Sequence, residues 1–186
     1  MNTLIVFFCL LASPLVAASE VVTACDVGGG PRMRLEVLRE TPIADTHVYS
    51  LRQKGKSTPV FSDIDGSRGA SVSAVCVGRK QRALVFSGEF TANAVQGFVL
   101  TFKPKTQKVG RLDFAEKSRP KWLFLSKNET IVVVPTHGLG ETSSKYVAYR
   151  APAGSSASPA GEGIDQLPRA EGYEKIDLDP AAKDQR

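Results

Sequence analysis

Hydrophobic residues in this chain come in short runs separated by wet turns, and the spacing is that of strands. "RLEVLR" (34–39), "HVYSL" (47–51), "PVFSDI" (59–64), "SVSAVCV" (71–77) and "ALVFSG" (83–88) form the first group. "GFVLTF" (97–102), "VGRLDF" (109–114), "WLFL" (122–125), "IVVV" (131–134) and "YVAY" (146–149) form the second. Each run is rich in Val, Leu, Phe or Tyr and is bounded by polar turns, and helical periodicity is hard to find. Between them "GRKQR", "KPKTQK" and "SKNET" have the character of hairpin turns. The pattern predicts an all-β protein of successive antiparallel hairpins.

Two details refine this picture. A strand with one wet face alternates apolar and polar residues, whereas a strand covered on both faces does not. "WLFL" and "IVVV" are uninterrupted, so both faces of that hairpin are expected to be buried. In addition, "AVCVGRKQRALVF" (74–86) aligns with "WLFLSKNETIVVV" (122–134) at an offset of 48, as does "FVLTF" (98–102) with "YVAYR" (146–150). Four short strands per unit is the size of a propeller blade, but residues 30–150 supply only about two and a half units, too few to close a ring. The fold expected first is an antiparallel meander forming a compact sandwich or strongly curved sheet. A propeller-like stack of four-stranded units is the alternative.

The ends of the chain add a compartment. Residues 3–18 carry no charge and finish in small residues, with Val16 and Ala18 at the −3 and −1 positions of a cleavage site. This reads as a secretory signal peptide over 1–18, although no Lys or Arg precedes its apolar stretch. "VTAC" (22–25) has the form of a lipobox, which makes a lipid anchor through Cys25 the alternative route. Cys25 and Cys76 remain after cleavage, and a cysteine pair in an exported chain predicts a disulfide. The mature chain is expected to be periplasmic or secreted, with no transmembrane segment. Residues 19–150 form the expected β domain. From Ala151, "APAGSSASPAGEG" has a flexible linker composition and opens a tail to 186, in which "YEKIDL" (173–178) can add one edge strand.

Charge separates body from tail. Residues 19–150 hold 20 Lys and Arg against 12 Asp and Glu, while residues 151–186 hold 4 against 7. The body is thus +8 and the tail −3. The cations gather in turns: Arg52, Lys54 and Lys56; Arg79, Lys80 and Arg82; Lys103, Lys105 and Lys108. Solubility alone favours charged turns, but tips gathered at one end would draw an acidic protein or an anionic envelope polymer. Nucleic acid is not expected, since export and sparse aromatic interleaving both argue against it. Trp122, preceded by Arg119, Pro120 and Lys121, reads as a core residue with an interface anchor as the rival role.

Catalytic and metal motifs do not emerge. "DIDGSRG" (63–69) starts like a calcium loop, but Arg68 and Gly69 stand where further ligands belong, so a polar turn is expected. His47 and His137 are the two histidines, and no "GxSxG" accompanies them. "GGGP" (28–31) lacks the spacing of a phosphate loop. No metal and no cofactor are expected, and a small hydrolase using His137 is the enzymatic alternative.

"VFSGEF" (85–90) resembles the Ser-Gly-x-Tyr loop of bacterial periplasmic lysozyme inhibitors, with Phe90 in place of Tyr. Those are small exported β proteins that insert the loop into the lysozyme cleft. The resemblance implies a contact loop of Ser87, Gly88, Glu89 and Phe90 on a rigid scaffold. A body at +8 would be repelled by a cationic lysozyme, so the likeness implies a style of action more than a target. The function expected is an exported, non-enzymatic binding protein acting on a macromolecular envelope partner, in the manner of an inhibitor or immunity protein. Its expected contacts are Ser87, Glu89, Phe90, Arg79, Lys80, Arg82, Lys103 and Lys105. A binder of anionic polymer or lipid headgroups is the alternative.

Overall fold

In the computed structural model, which describes residues 19–28, 33–139 and 142–179, the apolar runs become strands and no α-helix occurs among the described residues. The signal peptide and most of "GGGP" lie outside those residues. The strands are β1 (Glu20–Asp26), β2 (Arg34–Arg39), β3 (His47–Gln53), β4 (Lys56–Pro59), β5 (Arg68–Val77), β6 (Ala83–Thr91) and β7 (Ala94–Lys103). They continue with β8 (Lys108–Glu116), β9 (Trp122–Leu125), β10 (Glu129–Pro135), β11 (Tyr146–Pro152), β12 (Glu162–Ile164) and β13 (Glu174–Asp177).

The first eight strands make one antiparallel sheet in the order β1-β2-β3-β5-β6-β7-β8, with β4 on β3. The other five make a second sheet, β12-β11-β10-β9-β13. The larger sheet turns a corner at β5. Only His47↔Gly69 and Val48↔Arg68 join β3 to β5, Ser71 has φ 51°, and the β5–β6 register slips between Ala70 and Ser73. Beyond that corner β1–β4 fold back over β5–β8. The Cys25–Cys76 disulfide and the hydrogen bond from Thr23 Oγ1 to the Ala74 carbonyl (2.6 Å) pin β1 along β5.

Three cores follow from strand alternation. In β6, Leu84 and Phe86 point toward β1–β4, where they meet Leu35, Val37, Tyr49 and Val60. Ala83 and Val85 point the other way, into the space between the two sheets, with Leu112, Leu123, Leu125, Val132 and Val134. On the far side of β9 and β10, Phe124, Ile131 and Val133 are covered by Ile164, Leu167 and Tyr173 from the C-terminal segment. Every side chain of "WLFL" and "IVVV" therefore faces a core, and the uninterrupted apolar runs are explained.

The compact sandwich of curved sheets describes this architecture. The repeat at an offset of 48 has a real basis in that β5–β6–β7 and β9–β10–β11 are equivalent three-stranded meanders facing each other. It is inexact by residue: Val77↔Ala83 encloses five residues and Leu125↔Thr130 encloses four, so β6 and β10 are out of step. Separate four-stranded blades are absent, because the first eight strands share one sheet.

Three expectations change. "PVFSDI" is a strand only to Pro59: Val60 is buried, and Phe61 leaves the ladder to join the aromatic cluster, its amide donating to Ser67 Oγ at 2.9 Å. At Cys25 the structure shows the disulfide and not the alternative of a lipid anchor, since that sulfur lies within β1 and is bonded to Cys76. The flexible linker after Ala151 is instead a docked segment. Ala157 exchanges backbone hydrogen bonds with Arg111 (2.8 Å) and Asp113 (3.0 Å) along the outer edge of β8, and β12 and β13 form both edges of the second sheet. Small residues here serve close approach. A Cβ on Gly110 would lie 2.2 Å from the Gly154 carbonyl carbon and 2.3 Å from the Ser155 oxygen.

Two outcomes are expected. Replacing Cys25 and Cys76 together by Ser opens a cross-link between residues 51 apart and lowers stability by about 4 kcal/mol in the chain-entropy model, read from urea unfolding. Gly110→Ala forces the 153–157 segment outward, costing about 1–3 kcal/mol and opening proteolytic sites after residue 150 that the parent chain protects.

Candidate functional site: a basic end of the stack

The site begins with a turn that only glycine allows. Gly78, between β5 and β6, has φ 91°, and a Cβ there would lie 2.0 Å from the Gln81 carbonyl oxygen. The chain leaves it with two successive amides, Arg79 and Lys80, aimed to one side. Both donate to the carboxylate of Glu174 on β13, at 2.8 and 3.1 Å. Paired backbone amides of this kind form an anion-binding concavity.

Neighbouring tips sit beside it. The register Ala83↔Thr101 and Lys103↔Lys108 places the β7–β8 turn next to the β5–β6 turn. The β9–β10 turn adjoins from the second sheet, where Ser126 Oγ accepts from the amides of Asn128 (3.3 Å) and Glu129 (2.9 Å) and leaves Lys127 exposed. A cleft of about 970 Å³ lies between the β5–β6 and β9–β10 tips and is closed on one side by Tyr173 and Glu174. In the first layer, the paired row Cys25–Leu35–Gln53–Lys56 is level with the disulfide to Cys76, which brings the Lys54 and Lys56 turn to the same end.

Arg79, Lys80, Arg82, Lys105, Lys108 and Lys127 are exposed and Lys103 is half-buried. These basic tips lie at one end of the stack. Arg52 is drawn away from it: Glu36 holds Arg52 (2.6 Å) and Arg34 (3.0 Å), and hydrogen bonds from those two guanidinium groups keep its carboxyl below the ordinary range. At the cleft wall the Tyr173 hydroxyl donates to the Glu129 carboxylate, which raises the phenol above its usual 10.0, with desolvation adding to the shift.

The other expected contacts are not there. Ser87, Glu89 and Phe90 lie in strand β6, not on a loop, and β6 runs away from the basic end. Ser87 is buried, and the Phe90 ring sits against Phe61 at 4.8 Å between centroids, in the space left by Gly69 and Gly88. Glu89 is exposed but level with Val95 and Glu116 at the opposite end. The inserted loop implied by "SGEF" is therefore replaced by a ladder residue set whose aromatic member packs inward. Trp122 borders the outermost core, 5.4 Å from Tyr146 and edge-on to it.

A second cleft, of about 580 Å³, is lined by Ser73, Ser87, Ser118, His137 and Asp179. The serines and the histidine share a space, yet among the described residues no hydrogen bond joins His137 to a serine, so no nucleophile is paired with a base. In "DIDG", the Asp63 carboxylate accepts from the Gly66 amide at 2.6 Å and acts as a turn cap. No group of three or more His, Cys, Asp or Glu side chains placed to hold a metal ion occurs among the described residues.

The Glu174 contact was invisible in sequence, because its donors are main-chain amides and its partner lies 95 residues away. A Gly preceding two cations in a turn, with an acid in a late edge strand, is the only trace it leaves. Comparison with family models, curated proteins and solved structures gives no match.

The raised Tyr173 value carries a pH signature. A proton held more tightly in the folded state stabilises it fully below the unfolded value near 10, and that stabilisation is lost as pH rises through the folded value. Alkaline titration should loosen the 173–178 segment, seen as faster amide exchange there, in step with phenolate absorbance. Tyr173→Phe should remove the alkaline step.

Proposed function

We propose that this chain is an exported, non-enzymatic binding protein whose basic end docks an acidic protein in the bacterial envelope, in the manner of an inhibitor or immunity protein. The carrying observation is the gathering of the β5–β6, β7–β8 and β9–β10 tips at one end, where the first and third flank a cleft of about 970 Å³. Each tip is anchored on at least one strand buried on both faces, which limits the ordering entropy that opposes association. A net positive field over such an end accelerates encounter with an oppositely charged face.

Export is supported by the disulfide, which oxidising compartments preserve, together with the apolar leader in the sequence. No helix among the described residues is long and apolar enough to cross a membrane. The Ser87–Phe90 stretch has no part in this reading, and the contact set becomes Arg79, Lys80, Arg82, Lys103, Lys105 and Lys127.

Pull-down from envelope extracts at modest salt should recover one stoichiometric acidic protein. Arg79→Glu, Lys80→Glu and Arg82→Glu together should slow its association about tenfold or more while dissociation changes less. Equal binding to unrelated polyanions, with steep salt dependence and no protein recovered, would favour an anionic polymer as the ligand instead.

A further inference from the structure

The basic end already holds an anion, and the chain itself supplies it. Glu174 reaches the Arg79 and Lys80 amides from β13, a strand of four residues at the sheet edge. β13 pairs with β9 from Glu174↔Leu125 to Asp177↔Trp122. Its side chains alternate: Ile176 packs against the inter-sheet core, as does Leu178 just beyond the strand, while Lys175 and Asp177 are exposed. Gly172 precedes it at φ 80° with open space where a side chain would be. The segment thus combines a glycine turn, a carboxylate, and aliphatic residues two and four positions beyond that carboxylate. It is also acidic, opposite in sign to the body that it covers.

We infer that the Arg79–Lys80 amide pair and the β13-facing edge of β9 form a receptor for an extended acidic peptide of the partner, for which β13 with Glu174 is the built-in stand-in. This rests on the basic-end reading and specifies its ligand: a strand with Glu followed at two and four positions by aliphatic residues, added antiparallel to β9. Main-chain pairing on a sheet edge supplies affinity without regard to sequence, and the pockets for alternate side chains select. Here the amide pair selects the carboxylate, and the inter-sheet core selects Ile or Leu. A strand of four residues is short enough to exchange. While it stays docked, the apparent affinity for a partner strand is reduced by the fraction of molecules in which the edge is open.

The test uses the full chain and a labelled peptide copying residues 171–179, EGYEKIDLD, beside a copy with Gln at the position of Glu174. Glu174→Gln in the protein weakens the internal occupant, so it should bind the peptide about tenfold tighter than the parent chain does. The Gln copy should bind about tenfold more weakly than the Glu copy. In the parent chain, saturating peptide should speed amide exchange in β13 and leave β6 and β7 protected. Unchanged β13 exchange at saturating peptide overturns the inference and makes Glu174 a structural tie; that arm decides the matter even where Glu174→Gln does not fold. Polyglutamate binding separates the two claims. If the parent chain binds it and charge reversal at Arg79, Lys80 and Arg82 abolishes this, the basic-end reading stands whatever the peptide does. If neither polyglutamate nor peptide binds, both fall.

Discussion

Burial of the β6–β7 hairpin on both faces is the constraint from which the rest of the molecule follows. Phe86 and Phe98 stack at 4.9 Å on one side, and Val85 and Val99 face the second sheet on the other. A hairpin that is apolar on both sides cannot be satisfied by one neighbouring layer, since exposing either face would return large aromatic or branched surface to water. The chain meets this by wrapping: β1–β4 fold back over the aromatic side, and β9–β11 close the aliphatic side. Arg111 joins the first two layers. Its guanidinium lies 4.0 Å from the Phe98 ring centroid, donates to the Val60 carbonyl at 2.7 Å and pairs with Asp113. A cation is accommodated beside the core because its charge is met by a ring face, a carbonyl and a carboxylate together.

Layering of this kind commits strand side chains to packing and leaves polar chemistry to the connections. The sheet edges are managed by the same economy of short segments. β1 shields the outward side of β5, residues 153–157 run along β8, and β12 and β13 cap the second sheet. Covered edges resist pairing with other chains. The contact of β13 with β9 is one of the short covers: four residue pairs, the two amide-carboxylate bonds of Glu174 and the Leu178 amide bond to the Lys121 carbonyl hold it.

Much of this was legible from residue order, for identifiable reasons. β2 and β9 begin and end where their apolar runs do, and the uninterrupted "WLFL" and "IVVV" announced double burial. The basic turns were readable as turns, and their convergence follows from meander topology. Other features were hidden. "SGEF" has turn-like letters, but Gly88 makes room for the Phe90 ring within a strand. "APAGSSASPAGEG" looks like a linker because composition does not distinguish chain freedom from close packing of small residues. β1 escaped notice because "EVVTACD" alternates weakly and follows directly on the leader. The amide pair at Arg79 and Lys80 is written in the backbone, where a sequence has no letters.

The connections at the end away from the basic tips carry Glu40, Asp45, Asp63 and Asp65 beside Lys117, Arg119, Lys121 and Lys145, so positive charge is concentrated at one end. Near an anionic surface such an asymmetry would exert a torque before contact and turn the basic end toward it. Salt confines this alignment to about 8 Å at physiological ionic strength, which makes it a property of the last few water layers. The trailing end then carries Ile43, Ile64 and Leu139, 60–64% exposed in the connections on that side, away from the surface.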